Sequence, residues 1–251
     1  MKLVSKLLAL ISFFTSIPVP KRYELRDVAG GMPFLPLIGV LIGWVAGVLA
    51  YFFKLLFPEI LAGVLSYSTL LLLTGINHVD GLFDFGDGIV KHGGSEERLK
   101  AMRDPSIGTG GIMVGGLITL MTILSISYID NRIIIPAMIA AELSAKSSML
   151  TLAFFGESVN TRTSYAFIES MHGKNSVLKL LAPLVASLIL CFTLLGVNGV
   201  VIILIGIFLS LLILTLSNKL LGCVTGDVFG ALNEVSRATS LLYIIALNVR
   251  T

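Results

Sequence analysis

Three aspartates, Asp80, Asp84 and Asp87, follow an apolar run at intervals of four and three residues. At about 100° per residue of α-helix, Asn77, Asp80, Asp84, Asp87 and Lys91 fall within an arc of about 80°, while Leu82, Phe85 and Ile89 point elsewhere. Carboxylates this close repel one another unless a divalent cation or a basic ligand neutralises them, and an all-oxygen donor set selects Mg²⁺ or Mn²⁺ over zinc. The three aspartates are therefore candidate metal ligands, and the expected cofactor is Mg²⁺. His78 lies about 160° round the same helix from Asp80, which sets it against a substrate or a neighbouring element and away from the metal.

Two other stretches carry polar groups of useful types. Arg98, Lys100, Arg103 and Asp104 lead into the turn Pro105 to Gly111, which opens the next apolar run. A helix N-terminus with free backbone N–H groups and arginines beside it binds phosphate. Thr225, Gly226 and Asp227 continue through Gly230 and Ala231 to Glu234. On a helix Asp227 and Glu234, seven apart, share a face and form a second acidic patch that could complete a second metal site or position a nucleophile. Glu142 and Lys146, four apart inside an apolar run, pair across one turn. Two readings of that pair stand side by side: it holds the bundle in register, or Lys146 reaches a pyrophosphate.

The elements that must position these residues are membrane helices. The 251 residues are 55% hydrophobic and 13% charged, with a mean hydropathy of +0.95, far from the composition of a water-soluble domain. The expected fold is all-α, a polytopic integral membrane bundle in one domain over 1–251. Runs long enough to cross the hydrocarbon, about 20 residues, occur near 33–53, 59–77, 107–129, 133–155, 177–196 and 199–218. A shorter one at 239–249 makes the total six to seven. Residues 2–15 are expected to form an interfacial helix ended by Pro18 and Pro20; Lys21 and Arg22 stand where a signal peptide would be cleaved. Gly39, Gly43 and Gly47 form a stripe that lets another helix approach closely. Cys191 and Cys223 have no metal or disulfide spacing.

If the loop Lys21 to Arg26 is cytoplasmic and the chain crosses at every span, the remaining basic residues fall inside, except Lys54, Arg132 and Arg250 outside and Lys146 within a span. That bias obeys the positive-inside rule. It predicts a multi-pass cell-membrane protein with its N-terminus inside, its C-terminus outside and its polar loops, about 78–106, 156–176 and 219–238, on the cytoplasmic side. The active site is expected with those loops.

Four segments in order, Phe13 to Pro20, His78-Val79-Asp80-Gly81-Leu82-Phe83-Asp84 with Asp87-Gly88, Arg98-Leu99 with Arg103-Asp104 and Ile107-Gly108-Thr109, and Thr225-Gly226-Asp227 with Gly230-Ala231, resemble the cobalamin synthase family, the adenosylcobinamide-GDP ribazoletransferases. The HxDGLxDxxDG core is the most specific part. The resemblance implies a membrane transferase that uses Mg²⁺ to join adenosylcobinamide-GDP to α-ribazole or its 5′-phosphate with release of GMP. Its partners are then those two substrates and the lipid bilayer, with no nucleic acid, and a homo-oligomer is compatible with it. The residues expected to serve it are Asp80, Asp84 and Asp87 on the metal, Asp227 on a second metal or the nucleophile, and Asn77, His78, Arg98, Arg103, Asp104, Lys146, Thr225 and Glu234 on the substrates. Arg103 stands where many relatives have Lys and Lys146 where many have Arg, a change that gives up bidentate phosphate binding.

Three other readings compete. Asn77-x-x-Asp80-x-x-x-Asp84 also fits the first aspartate motif of membrane prenyltransferases, which need a second acidic helix. A CDP-alcohol phosphotransferase would carry Ala-Arg after the Asp-Gly pair, and this chain does not. A transporter would place its polar residues near the bilayer midplane between internal repeats, whereas these acids cluster at one end.

Overall fold

Apolar segments in a bilayer have no water to satisfy their backbone and must form helices. A computed structural model describes residues 3–157 and 162–248, and helix is the only regular structure among them apart from one 3₁₀ turn, Met32–Phe34. In chain order the helices are α1 (Leu3–Phe14), α2 (Leu25–Ala29), α3 (Leu35–Leu56), α4 (Glu59–Thr74), α5 (Asn77–Val90), α6 (Ser95–Met102), α7 (Thr109–Tyr128), α8 (Ile134–Phe155), α9 (Arg162–Met171), α10 (Ser176–Leu195), α11 (Val197–Leu220) and α12 (Gly226–Asn248). The connections α3–α4, α7–α8 and α10–α11 are short and lie at one end of the bundle. At the other end the chain makes α5, α6 and α9.

Helix α8 is the axis of the molecule. Its most apolar window is 89% buried, against 22 to 50% for the other four helices that qualify as spans by length and composition, so α8 is enclosed by protein while its neighbours face lipid. The glycine stripe of α3 packs against it as expected. A Cβ on Gly39 would stand 2.6 Å from the carbonyl oxygen of Glu142, and one on Gly43 2.6 Å from that of Met138. Backbones this close are held by dispersion contacts that no larger residue would permit.

Two expected spans differ in the structure. The run 59–77 ends earlier, at Thr74, because Gly75 adopts φ +71°. The chain there turns through 99° into α5, so Asn77 opens a new helix that crosses the end of the bundle. The short span at 239–249 is the last part of α12, apart from residue 249, which lies outside the described residues. Helix α12 traverses the bundle antiparallel to α8, and near its far end the Tyr243 hydroxyl donates to Asn198 Oδ1 at 3.3 Å. Its first half carries the polar residues Asn233, Glu234 and Arg237, and all three are buried. Arg237, expected in a loop, is inside the protein.

The N-terminal helix is also more than interfacial. Ala9, Leu10 and Phe14 are buried, the Phe14 ring stacks on His78 and Phe167 at 6.0 and 5.9 Å, and the Ser16 N–H donates to Leu73 O at 2.8 Å. Helix α1 therefore closes the looped end of the bundle over α5.

Candidate active site

The site is built where α5 crosses the first turns of α12 and α7, and glycines set the crossing distances. A Cβ on Gly81 would meet Asp227 Cα at 2.9 Å, and one on Gly230 would meet the His78 carbonyl oxygen at 2.9 Å. The Asp-Gly pair of the sequence motif is thus one device: Asp80 presents a carboxylate, and Gly81 lets the backbone of Asp227 come alongside. On the α7 side a Cβ on Gly86 would meet Gly110 O and Gly111 Cα at 3.1 Å each.

This crossing draws the acids together. Burial raises the pKa of the Asp84 carboxyl to about 6, aided by the negative charges of Asp227, Asp80 and Asp87. Carboxylates from two helices therefore share one electrostatic field, and the Arg103 guanidinium supplies positive charge to it near Asp227. Asp80 is exposed, and Asp84, Asp87 and Asp227 are partly so. Among the described residues no three His, Cys, Asp or Glu side chains are grouped closely enough to hold a metal ion.

Asp87 differs from the others. Its Oδ2 accepts the Gly108 N–H at 2.7 Å and its Oδ1 accepts the Gly111 N–H at 2.8 Å. The glycine-rich N-terminus of α7, expected to bind a substrate phosphate, is occupied by the protein's own carboxylate. Arg98 is also employed structurally. Its Nη1 donates to Gly88 O and Ile89 O at 2.9 and 2.8 Å and its Nε to Gly93 O at 3.3 Å, capping the C-terminal end of α5 in place of the expected phosphate clamp. Asp104 closes a turn by accepting the Ser106 N–H at 2.9 Å.

Arg103 is exposed and faces the site. It lines a cavity of about 220 Å³ with Thr163, Thr225, Gly226 and Asp227. Thr225 Oγ1 donates to Asp227 Oδ2 at 3.3 Å, and Asn77 is exposed beside Asp80 at the start of α5.

Beneath this layer lies a buried ion network. Arg237 Nε donates to Glu142 Oε1 and its Nη1 to Glu234 Oε2 at 2.5 Å. Lys146 Nζ donates to Asn233 Oδ1 at 2.6 Å and stands 3.8 Å from Glu142 Oε2. Glu234 is thereby committed to Arg237 and does not extend an acidic patch from Asp227. Lys146 faces Asn233 and the Phe14 ring, not a solvent-exposed pyrophosphate. His78 is buried beside them, and burial with the charges of Lys146 and Arg237 holds its imidazole well below the usual range, which keeps it neutral. Arg237 and Asn233 escaped the sequence reading. The i, i+3 spacing of Glu234 and Arg237 was the signal available.

A polytopic helical bundle with clustered carboxylates, an arginine and hydroxyls over a braced polar core is a membrane-embedded enzyme for a charged substrate. The family model for cobalamin-5-phosphate synthase matches residues 6–245, and the chain belongs to that family, transferases of cobalamin synthesis. It is similar to the adenosylcobinamide-GDP ribazoletransferases of Methanosarcina barkeri, 32% identical over 94% of this chain and 89% of the relative, and of Clostridium tetani, 28% identical over 98% of each. That of Alkaliphilus oremlandii is 32% identical over 95% of this chain and 96% of the relative. No solved structure matches the chain.

Proposed function

We propose that the protein transfers the adenosylcobinamide-phosphate group of adenosylcobinamide-GDP to α-ribazole or its 5′-phosphate and releases GMP, with Mg²⁺ as cofactor. The names of the relatives support the donor and the ribazole acceptor. The family description, a cobalamin-5-phosphate synthase, favours the phosphorylated acceptor. In this reaction an acceptor hydroxyl oxygen forms a bond to the cobinamide phosphorus, the bond from that phosphorus to GMP breaks, and the hydroxyl proton is lost.

The observation that carries the reading is the glycine-spaced crossing that brings Asp80 and Asp84 beside Asp227. The donor set fits a hard divalent cation, being all oxygen and in need of positive charge. Asp80 and Asp84 would hold Mg²⁺, with the remaining lone pairs of Asp87 beside them. A bound Mg²⁺ neutralises charge on the diphosphate and on departing GMP. Arg103 binds phosphate oxygens at the edge of the cavity, Thr225 fixes the Asp227 carboxylate, and Asp227 orients the acceptor hydroxyl. Detergent-solubilised protein should release GMP when given both substrates and Mg²⁺. Asp80→Asn and Asp84→Asn should lower that rate about 10³-fold or more with unchanged helix content. Near-normal GMP release from either variant would overturn the reading.

The competing readings lose ground on two observations. A prenyltransferase needs a second acidic helix, and Glu234 is locked to Arg237. The acids lie at the looped end of the bundle and not midway between repeats, which disfavours a transporter. Turnover in detergent, without a gradient, separates the two classes.

A further inference from the structure

Helices α3 and α10 both pack on α8, and between them runs a groove of about 500 Å³ that the proposed reaction does not use. Pro33, Leu37 and Val40 form one wall, Leu178, Ala182 and Ala186 the other, and Leu143 of α8 lies at its floor. Ala182 and Ala186 are exposed, so small side chains on α10 leave the space open from the side. Along α10 it extends from Leu178 to Leu190, about 18 Å at the helical rise. One leaflet of the hydrocarbon core is about 15 Å deep, so an acyl chain can lie along its whole length.

The mouth of the groove is positively charged. Lys174 is exposed at the turn before α10 and lines the groove with Asn175 and Lys179. Lys179 Nζ donates to Ser170 O and His172 O at the end of α9 and the turn after it, at 2.7 and 3.1 Å, which leaves one of its three N–H groups for a ligand. Lys6 Nζ of α1 stands 5.7 Å from the centroid of Phe34, whose ring lines the groove. Three cations therefore flank the end of an apolar channel that opens at the looped end of two membrane-spanning helices, the arrangement an anionic headgroup with an attached acyl chain complements.

We propose that this groove is a binding site for an anionic phospholipid, its acyl chain between α3 and α10 and its phosphate at Lys174, Lys179 and Lys6. The test uses full-length protein reconstituted from equal amounts of phosphatidylglycerol and phosphatidylcholine, re-extracted in detergent, with retained lipid measured by mass spectrometry. Phosphatidylglycerol should be retained in preference, and Lys174→Ala should weaken that preference about fivefold, the effect of one lysine at an anionic surface. Ala186→Phe, which fills the groove, should remove the retained lipid, whereas Phe208→Ala on lipid-facing α11 should leave it. Equal retention of both lipids, retention indifferent to Lys174→Ala, or displacement of the lipid by adenosylcobinamide-GDP would overturn the proposal. Lys174 is at the surface, so its variant decides the matter even if Ala186→Phe does not fold.

Discussion

Among the aspartates of the motif, position relative to α7 divides the roles. Among the described residues no backbone N–H donates to the side chain of Asp80 or Asp84, and their charges add to a repulsive cluster, whereas both oxygens of Asp87 are bound to the amides of Gly108 and Gly111. Loss of such a cap costs about 1 kcal/mol. Asp87→Ala should therefore lower the melting temperature in detergent without Mg²⁺, while Asp80→Asn, which relieves repulsion, should leave it unchanged or raise it. Equal melting of the two variants would remove the distinction. The motif announced three acids on one helical face, and the structure has them on one helix. It could not announce the cap, whose partners lie 21 and 24 residues further on, nor that Arg98 would turn back onto α5. Residue types and local spacing are legible in sequence. Which of several chemically competent donors a side chain meets is decided by how helices cross.

At the scale of elements, two interfaces carry the site. The α5–α12 crossing depends on Gly81, where an added methyl meets backbone that cannot swing aside. Gly81→Ala should destabilise by about 1–3 kcal/mol, as overpacking does, and lower GMP release by roughly fivefold to 150-fold if the same energy is lost from the transition state. Gly116→Ala in α7, where nothing stands within 4 Å of the added methyl, should stay within about 1 kcal/mol of the parent. The α8–α12 interface rests on Arg237 between Glu142 and Glu234. Removing one partner of a buried ion pair leaves the other charge uncompensated, at about 3–5 kcal/mol. Arg237→Ala should therefore unfold readily in detergent, and adding Glu142→Gln and Glu234→Gln should restore much of the loss; melting curves of the single and triple variants check both. The sequence showed Glu142 and Lys146 as a pair because they share a turn, but Arg237, 95 residues away, could only be found once α12 lay beside α8.

For the whole molecule, the distribution of cations predicts an orientation in the membrane. At the short-connection end the two basic residues among those described are both engaged: Lys54 Nζ donates to the carbonyls of Ile126 and Ser127 at the C-terminus of α7, and Arg132 is paired with Asp130 at 2.8 Å. The looped end instead exposes Lys91, Lys100, Arg103 and Lys174, free positive charge of the kind that stays in the cytoplasm during insertion. The candidate-site carboxylates belong to that end, so under the proposed function the orientation also decides from which side the nucleotide substrate arrives. A single cysteine at Arg132→Cys should react with a membrane-impermeant maleimide in intact cells, and one at Glu96→Cys on α6 only after the cells are opened. Cys191 and Cys223 are both buried and contribute little background. Labelling in the reverse pattern would place the carboxylates outside, away from the cytoplasmic supply of nucleotide-activated substrate, and the charge argument would fail with it.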